Sequence, residues 1–428
     1  MAGGTFFRAE PCAVHPLLKY RHFLQSFRFL SVAPMHLFAR LAWLLSLILL
    51  PTCLLAQTVP PTAPTTTTTT GSPATPAATT AVPNAAAAAS TDTATVDPKP
   101  VFFGYVGVYY GYDFNNPAGL TRPGFIYSEN LHNQIAVNIA LLGARYNSER
   151  LRGTFAIQTG TYPDANYAAE PAIFKNIYEA WGGVRVAKNL WLDAGIFLSH
   201  IGLEGPISRD DLTLTRSIMA DNSPYYEAGA KLTYDQGKKW LFSALVLNGW
   251  QVIRDRNQNE AMGSQIQFRP SSKWLLNSST FVGEGYNQPD SVGRQLRYLH
   301  DFYVTYDPSQ KWKIAAAFDA GVQARAHNAG GYDNWQGGAL IVRRRLWKRA
   351  ALVSRVEYFR DPAGVLAPTR IGGLNTMGYS LGFDYNPVPR VILRAEAKQF
   401  CDQNEVYVKK KIPRTTNGVV TVLLGLTF

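Results

Sequence analysis

The side chains that could act in covalent or acid–base catalysis are few in this sequence. Outside the first 56 residues, histidine occurs at four positions: His132, His200, His300 and His327. A hydrolytic site needs a nucleophile, a base and a group that orients the base, and only Ser199 and His200 are adjacent. Neighbouring residues of a strand point to opposite faces, so we expect these two side chains to lie apart. The sequence therefore predicts no enzyme, cofactor, metal site or nucleic-acid partner.

Charged side chains recur instead at alternate positions of short segments whose other positions are apolar. In the segment 390–398, apolar odd positions alternate with Arg394, Glu396 and Lys398. A strand with this pattern has one apolar and one charged face. The charged side chains could line an aqueous lumen or only stabilise the wall by pairing with one another. The candidates for the inner face are Arg152, Glu179, Glu227, Lys231, Asp301, Lys313, Asp319, Arg343, Arg355, Glu357, Arg394, Glu396 and Lys398.

About sixteen such segments follow one another to the end of the chain, and most have roughly the 9 to 11 residues of a tilted transmembrane strand. They are 101–112, 133–146, 150–161, 174–186, 189–199, 225–235, 238–249, 262–269, 273–284, 297–307, 311–322, 334–344, 349–360, 374–385, 389–400 and 417–428. Short turns such as YDQGKKW and RPSSKW alternate with longer connections. Short and long connections are therefore expected on opposite rims.

Aromatic residues mark the rim with the short turns. Five tryptophans adjoin these turns, and the final strand ends on Phe428; the girdle candidates are Trp191, Trp240, Trp274, Trp312, Trp347 and Phe428. Rings with a polar edge settle at membrane interfaces, and a sheet spans lipid only if it closes on itself. The pattern predicts an all-β fold, a transmembrane antiparallel β-barrel of about 16 strands closed by pairing of the first and last strands, with outer-membrane lipid around it.

The N-terminal part has a different composition. MHLFARLAWLLSLILLPTCLLAQ, from Met35, places Arg40 before an apolar run and Ala56 before Gln57, which is typical of a secretory signal. We predict an N-terminal extension and cleaved signal at 1–56, with Met35 as the true start. The Thr/Pro/Ala-rich segment 57–98 is expected to be a disordered leader in the periplasm, and 99–428 to be the barrel. Loss of residues 1–56 lowers the formal charge from +12 to +8.

Three stretches carry a resemblance to a known family. GARYNSERLRGTFAIQTGTYP, LWLDAGIFLSHIGLEGPISRDDLTLTRSIMADNSPYYEAGAKLTY and LVLNGWQVI look like the β-barrel porins of the OmpL-like group in Gram-negative outer membranes. The resemblance runs from Val101 to Phe428 and implies diffusion of small hydrophilic solutes, without a catalytic motif. A C-terminal strand that ends on Phe also resembles the signal read by the barrel-assembly machinery. A homotrimer, as in many sixteen-stranded porins, is left open.

The third outward connection, 200–224, is the longest, with about 25 residues. A barrel of about sixteen strands is too wide for side chains to fill, so an aqueous channel is expected. In general porins the third loop commonly folds inward, and by resemblance this loop is the candidate constriction. Its charged residues are Glu204, Arg209, Asp210, Asp211, Arg216 and Asp221, with Arg216 expected to face Asp210 or Asp211 across the passage. A loop on the outer surface, and a non-conducting barrel that acts as adhesin or anchor, remain the alternatives.

The signal pattern generates a prediction about processing. We expect the mature protein to begin at or near Gln57, because the small residue and the end of the apolar run coincide there. N-terminal sequencing of protein extracted from membranes tests this directly. Recovery of Met1, or of an intact segment 41–56, would contradict it.

Overall fold

The structure is a computed structural model that describes residues 99–257, 259–285, 295–325 and 330–428. The signal and leader expected at 1–98 lie outside the described residues, as does His327. Within the described part, no helix has the length and apolar character needed to cross a membrane.

Sixteen antiparallel strands of the described chain form a closed barrel, in which β1 pairs with β18 and each other strand with its neighbours in the barrel order. The strands are β1 Val101–Asp113, β2 Ile135–Asn147, β3 Leu151–Thr159, β4 Ile177–Ala187, β5 Leu190–Leu198, β6 Tyr226–Asp235, β7 Trp240–Leu247, β8 Ala261–Phe268, β9 Trp274–Glu284, β10 Leu296–Ser309, β11 Trp312–Ala324, β12 Tyr332–Trp347, β13 Ala350–Asp361, β14 Leu374–Tyr385, β15 Val391–Asp402 and β18 Thr416–Thr427. The predicted fold class and closure are confirmed.

The long connections carry short elements that alternation alone did not predict. One-turn or slightly longer helices occupy Thr161–Asn166, Ala172–Lys175 and Ile218–Asp221, with a 3₁₀ turn at Ser208–Asp210. The start of the fourth predicted strand, 174–186, is therefore wrong, because its first residues are helical. Strands β16 (Tyr407–Lys409) and β17 (Ile412–Arg414) pair as a separate hairpin between β15 and β18.

Burial is inverted relative to a soluble sheet. In β7, the odd positions from Leu241 to Leu247 are buried, whereas Trp240, Phe242 and Val246 are exposed. In β13, the buried positions include Arg355 and Glu357 while Val356 between them is exposed. Apolar side chains outside and charged side chains inside, alternating with the two-residue period of each strand, are the pattern typical of a barrel surrounded by lipid.

Four of the predicted girdle tryptophans lie exposed at the rim of short turns. Trp240, Trp274 and Trp312 begin strands, and Trp347 ends β12 rather than following the next turn. Trp240 stacks on Phe268 with ring centroids 4.2 Å apart. Their position at a membrane interface stays a prediction.

Trp191 was wrongly predicted to belong to this girdle. Its side chain is only 8% exposed, and it lies on the inner face of β5 together with Asp193. The guanidinium groups of Arg152 and Arg185 lie 4.5 and 5.1 Å from its ring. β5 begins at Leu190, so Trp191 is the second residue of its strand, and the alternation turns it inward.

Phe428 completes the seam between β1 and β18. Its amide donates to the Gly104 carbonyl at 3.2 Å, and its carbonyl accepts from the Gly104 amide at 3.0 Å. The ring of Phe428 lies where a side chain on Gly104 would have to be. The glycine therefore allows the ring to cover the seam on the outer face.

The seam generates a prediction about assembly. Phe428→Ala should reduce the fraction of heat-modifiable, folded barrel and lower the free energy of unfolding by about 1 kcal/mol, because a ring that packs on the seam is removed. Phe302→Ala is the matched control, since Phe302 is a comparably exposed outward ring within β10. An equal loss in the control variant would contradict a special role for Phe428.

Candidate functional site

The long connection after β5 enters the barrel and is held at both ends by the wall. We call residues 200–224 loop 3. The carbonyl of His200 accepts from Gln265 Nε2 at 3.0 Å and from Ser279 Oγ at 2.8 Å, on β8 and β9. At the other end, Ser223 Oγ donates to Asp319 Oδ2 on β11 at 3.0 Å. Both ends of loop 3 are therefore attached to inward side chains of the wall, near the rim where the loop begins and ends.

Arg355 on β13 holds the middle of loop 3. One terminal nitrogen donates to Glu204 Oε1 at 3.2 Å, Thr213 Oγ1 at 2.8 Å and the Thr215 carbonyl at 2.6 Å. The other donates to Thr215 Oγ1 at 3.0 Å and Glu396 Oε1 at 3.2 Å. The guanidinium is 1% exposed. A buried charge is tolerated when it is paired. Most partners of the two terminal nitrogens come from the loop, whereas Nε lies 3.6 Å from Glu357 Oε1 and makes no hydrogen bond.

Neighbouring charges on β15 bind the loop backbone. Arg394 donates to the carbonyls of Ser208, Asp211 and Leu212, the last at 2.8 Å, and also pairs with Asp384 at 2.8 Å. Lys398 Nζ donates to the Arg216 carbonyl at 2.8 Å.

Carboxylates of the same wall accept from loop amides. Glu396 accepts from the amide of Thr215, and Glu357 from the amide of Ile218, both at 2.7 Å. Loop backbone groups that have lost water are therefore paired with the wall, as buried backbone groups require.

All thirteen predicted inward-facing residues of the barrel strands lie on the inner face, and most of them are paired. Arg152 makes a double hydrogen bond to Asp193, with both distances 2.7 Å. Glu179 accepts from Trp181 Nε1 at 2.9 Å, and Lys231 lies 4.6 Å from the Phe197 ring centroid. Glu227 pairs with His200. The remaining five make the contacts with loop 3 described above: Arg355, Glu357, Arg394, Glu396 and Lys398. The other four candidates, Asp301, Asp319, Lys313 and Arg343, share the inner face of β10, β11 and β12.

Four of the six charged residues of loop 3 are buried. Glu204 accepts from the Ser217 amide at 3.1 Å as well as from Arg355. Asp211 accepts from the Gly205 amide at 2.7 Å, and burial raises the pKa of Asp211 well above its usual value, with the nearby charge of Glu204 adding to the shift. Asp221 and Arg216 lie 3.9 Å apart with side chains only 3% exposed.

Arg216 was wrongly expected to face Asp210 or Asp211 across the passage. Its guanidinium carbon lies 4.5 Å from the ring centroid of Tyr162 and 4.4 Å from that of Tyr225. Both rings come from the outer connections, and such packing suits a planar guanidinium better than open solvent does. Its charge is therefore directed into packed protein.

Arg209 and Asp210 are the two charged residues of loop 3 that keep contact with solvent. Asp210 is exposed and Arg209 is half-buried, with Arg209 Nη2 donating to the Pro389 carbonyl at 2.9 Å. Pro389 lies in the short turn between β14 and β15, so loop 3 reaches toward the rim opposite the one it enters. Partial burial raises the pKa of Asp210, whereas the charges of Arg209 and Arg394 act to lower it.

An apolar cluster inside the barrel was missed by sequence analysis. Ile218 and Met219 of loop 3 belong to a buried cluster with Phe281, Trp335 and Phe359 of the wall. The available signal was β7, where LFSALVL is apolar on both faces. A strand with two apolar faces is typical of burial on both sides, and the inner face of β7 packs in the same cluster as Ile218 and Met219.

Ser199 and His200 do not lie apart as expected. β5 ends at Leu198, and both side chains reach Glu227: Ser199 Oγ donates at 3.1 Å and His200 Nδ1 lies 2.9 Å from both carboxylate oxygens. His200 Nε2 lies 2.9 Å from the Thr280 carbonyl. Both ring nitrogens are thus occupied by oxygens other than the Ser199 hydroxyl. Among the described residues, no group of three or more His, Cys, Asp or Glu could hold a metal ion.

Comparison with solved structures supports the same architecture. The barrel is similar to Salmonella typhi OmpF in complex with daunomycin, with a TM-score of 0.53, 11% identity, and 78% of this chain and 98% of that chain covered. It is similar to OmpT of Vibrio cholerae at a TM-score of 0.51, with 9% identity and coverage of 78% and 99%. It is also similar to the outer-membrane channel DcaP of Acinetobacter baumannii, with a TM-score of 0.50, 10% identity, and 77% of this chain and 97% of that chain covered. At these identities the likeness shows the fold.

The comparison by sequence shows the family. No curated protein matches the chain. The model of the family described as "Putative beta-barrel porin-2, OmpL-like" matches residues 101–428, which is the whole barrel. Because this match spans the entire closed sixteen-stranded barrel, the chain belongs to this family of outer-membrane β-barrel porins.

Proposed function

We propose that the protein forms a water-filled channel for passive diffusion of small hydrophilic solutes and ions, with loop 3 as its constriction. The observation that carries the proposal is the attachment of loop 3 to the far wall through Arg355, Arg394 and Lys398. A barrel of this width leaves an open lumen, and a loop fixed inside it is sufficient to narrow the passage. We propose no catalytic activity.

The passage is proposed to run beside loop 3 along β3 to β6. Inward Arg152 and Lys231, on β3 and β6, are half-buried, whereas Arg355 and Lys398 on β13 and β15 are covered by the loop. Asp210 and Arg209 are the loop charges that a solute would meet. Charges close to an ion in a narrow passage act more strongly than those screened by salt beyond about 10 Å.

The apolar cluster around Ile218 and Met219 favours a second candidate function. A barrel whose lumen is filled by packed loops could serve as a surface adhesin or anchor, with its specificity on the long loops. Conduction separates the two functions, since an adhesin needs no continuous water path.

The proposal includes the location of the leader and two partners. Residues 57–98 would lie in the periplasm as a leader, because the predicted signal sequence precedes them. The strand that ends on Phe428 would be read by the barrel-assembly machinery. A homotrimer is compatible with a sixteen-stranded porin, and the molecular mass of the native complex tests it.

Planar-bilayer recording of the purified, heat-modifiable barrel tests the channel. We expect discrete conductance steps in potassium chloride. Folded barrels that insert, as shown by protease protection, without producing conductance steps would favour the adhesin or anchor.

The different environments of Asp210 and Asp211 generate a prediction about selectivity. Asp210→Asn should shift the zero-current potential in a salt gradient toward anion preference, because an exposed negative charge leaves the passage. Asp211→Asn is the matched control and should leave the potential nearly unchanged, because Asp211 is buried and burial raises its pKa. If the zero-current potential shifts only in Asp211→Asn, or in neither variant, then Asp210 is not the charge that sets selectivity.

The contacts of Arg355 generate a prediction about stability. Arg355→Met should lower the free energy of unfolding by about 3–5 kcal/mol, because Glu204, Glu357 and Glu396 lose a buried cation. The variant channel should also show larger current fluctuations, because loop 3 loses its main attachment. Urea unfolding followed by tryptophan fluorescence measures the first effect and planar-bilayer recording the second.

Arg360→Met is the control for this variant. Arg360 is on the same strand, at an outward position where it hydrogen-bonds Asn334. Its loss should cost no more than about 0.5 kcal/mol. Equal losses in both variants would show that Arg355 has no special role in holding loop 3.

A further inference from the structure

A cavity of about 350 Å³ opens at the rim of the long connections, outside loop 3. We call it the outer pocket; its lining includes Asp113, Arg122, Phe125, Arg370, Tyr407, Lys410 and Lys411. The lining combines the first long connection with the connection after β13 and the β16–β17 hairpin. Phe125 and Tyr407 of the lining also belong to the apolar cluster that contains Ile218 and Met219 of loop 3.

The lining is strongly basic. Four basic side chains, Arg122, Arg370, Lys410 and Lys411, face one carboxylate, that of Asp113. The Asp113 oxygens already accept from the Asn115 amide at 2.8 Å and from Asn417 Nδ2 at 2.8 and 2.9 Å. The carboxylate is therefore largely satisfied within the protein and offsets only part of the positive charge.

Arg122 has buried donors without acceptors. Its side chain is 2% exposed, and Nε and Nη2 have no hydrogen-bond partner in the described part of the chain. Nε lies 3.8 Å from Asp113 Oδ2, which is an ion-pair distance but too long for a hydrogen bond. Buried donors left without acceptors are costly, and a guanidinium suits the planar oxygens of carboxylate and phosphate.

We infer that the outer pocket binds small anionic solutes that carry a carboxylate or phosphate group. Arg122 supplies the buried donors at the base, and Lys410 and Lys411 on the exposed hairpin supply attraction at the mouth. As the substrate class of the channel, this inference rests on the proposed function. As a binding site, it does not depend on conduction. A local rise in anion concentration at the mouth of a passage raises the rate of entry.

Calorimetric titration of the folded barrel in a non-ionic detergent tests the site, with inorganic phosphate as the first probe and acetate as the second. We expect saturable binding of both, and none of choline or glucose. Arg122→Gln should weaken phosphate binding by about tenfold or more, as expected for the loss of charge-assisted hydrogen bonds. Lys409→Gln is the matched control, because Lys409 is on the same hairpin but does not line the pocket.

A second variant keeps the test independent of folding at the buried site. If Arg122→Gln is not heat-modifiable, the double substitution Lys410→Gln with Lys411→Gln, on the exposed hairpin, should still weaken phosphate binding while Lys409→Gln does not. Absence of phosphate and acetate binding to the natural protein, or equal affinity in all variants, would overturn the inference.

Lipid phosphate is the other source of the same chemical group. Binding of lipopolysaccharide vesicles that depends on Arg122 or Lys410, without binding of free phosphate or acetate, would also overturn the inference for solutes. Anion binding and conduction are measured separately, so the test of the outer pocket is distinct from the test of the channel. A barrel that binds phosphate but does not conduct contradicts the channel alone, and one that conducts without binding anions contradicts this inference alone.

Discussion

Closure of the sheet is the constraint on which the rest of the structure depends. Backbone groups cannot meet water in lipid, so β1 must pair with β18, as it does from Tyr105 to Asp113. Closure then fixes which face of every strand is inside. The outer face carries the apolar side chains. The polar side chains of the inner face need water, loop residues or opposite charges as partners. In this barrel, five inward charges of β13 and β15 contact loop 3: Arg355, Glu357, Arg394, Glu396 and Lys398.

The buried charges explain why loop 3 adopts one position. Arg355 contacts Glu204, Thr213 and Thr215 of the loop. If the loop moved away, the guanidinium would lose these partners and keep only Glu357 and Glu396 of the wall. Such a network adds little net stability compared with apolar packing, but breaking one of its pairs is costly. The apolar cluster around Ile218 and Met219 contributes non-directional burial from the other side of the loop. Directional and non-directional contacts therefore fix the loop together.

The period-two pattern was enough to predict the strands, because one lipid-facing side leaves an alternation in every segment. It also placed Arg355, Glu396 and Lys398 on the inner face. It did not show what those side chains would contact, since the partners are in loop 3, far away in sequence. Alternation likewise failed at strand ends: Trp191 turned inward because β5 begins one residue before it, and Ser199 with His200 both reach Glu227 because β5 has already ended.

The loops were harder to predict for a physical reason. Loop 3 was identified by its length and its resemblance to other third loops, but charge alone did not separate Asp210, which is exposed, from Asp211 and Arg216, which are buried. Their burial depends on contacts with β15 and with the tyrosines of the outer connections. The β16–β17 hairpin is only three residues per strand, too short to leave a clear alternation. Its basic tip and Arg122 come together only in the folded chain.

The proposed channel requires that solutes pass beside loop 3 within reach of Asp210. It is tested most directly by Asp210→Cys in a Cys401→Ser background, because Cys401 is the one cysteine between residue 57 and the end of the chain. A bulky, thiol-reactive methanethiosulfonate would be applied during single-channel recording, with mass spectrometry to establish complete modification. If solutes pass beside this residue, the conductance should fall stepwise on modification, and a reducing agent should reverse the fall. Complete modification with unchanged conductance would contradict it.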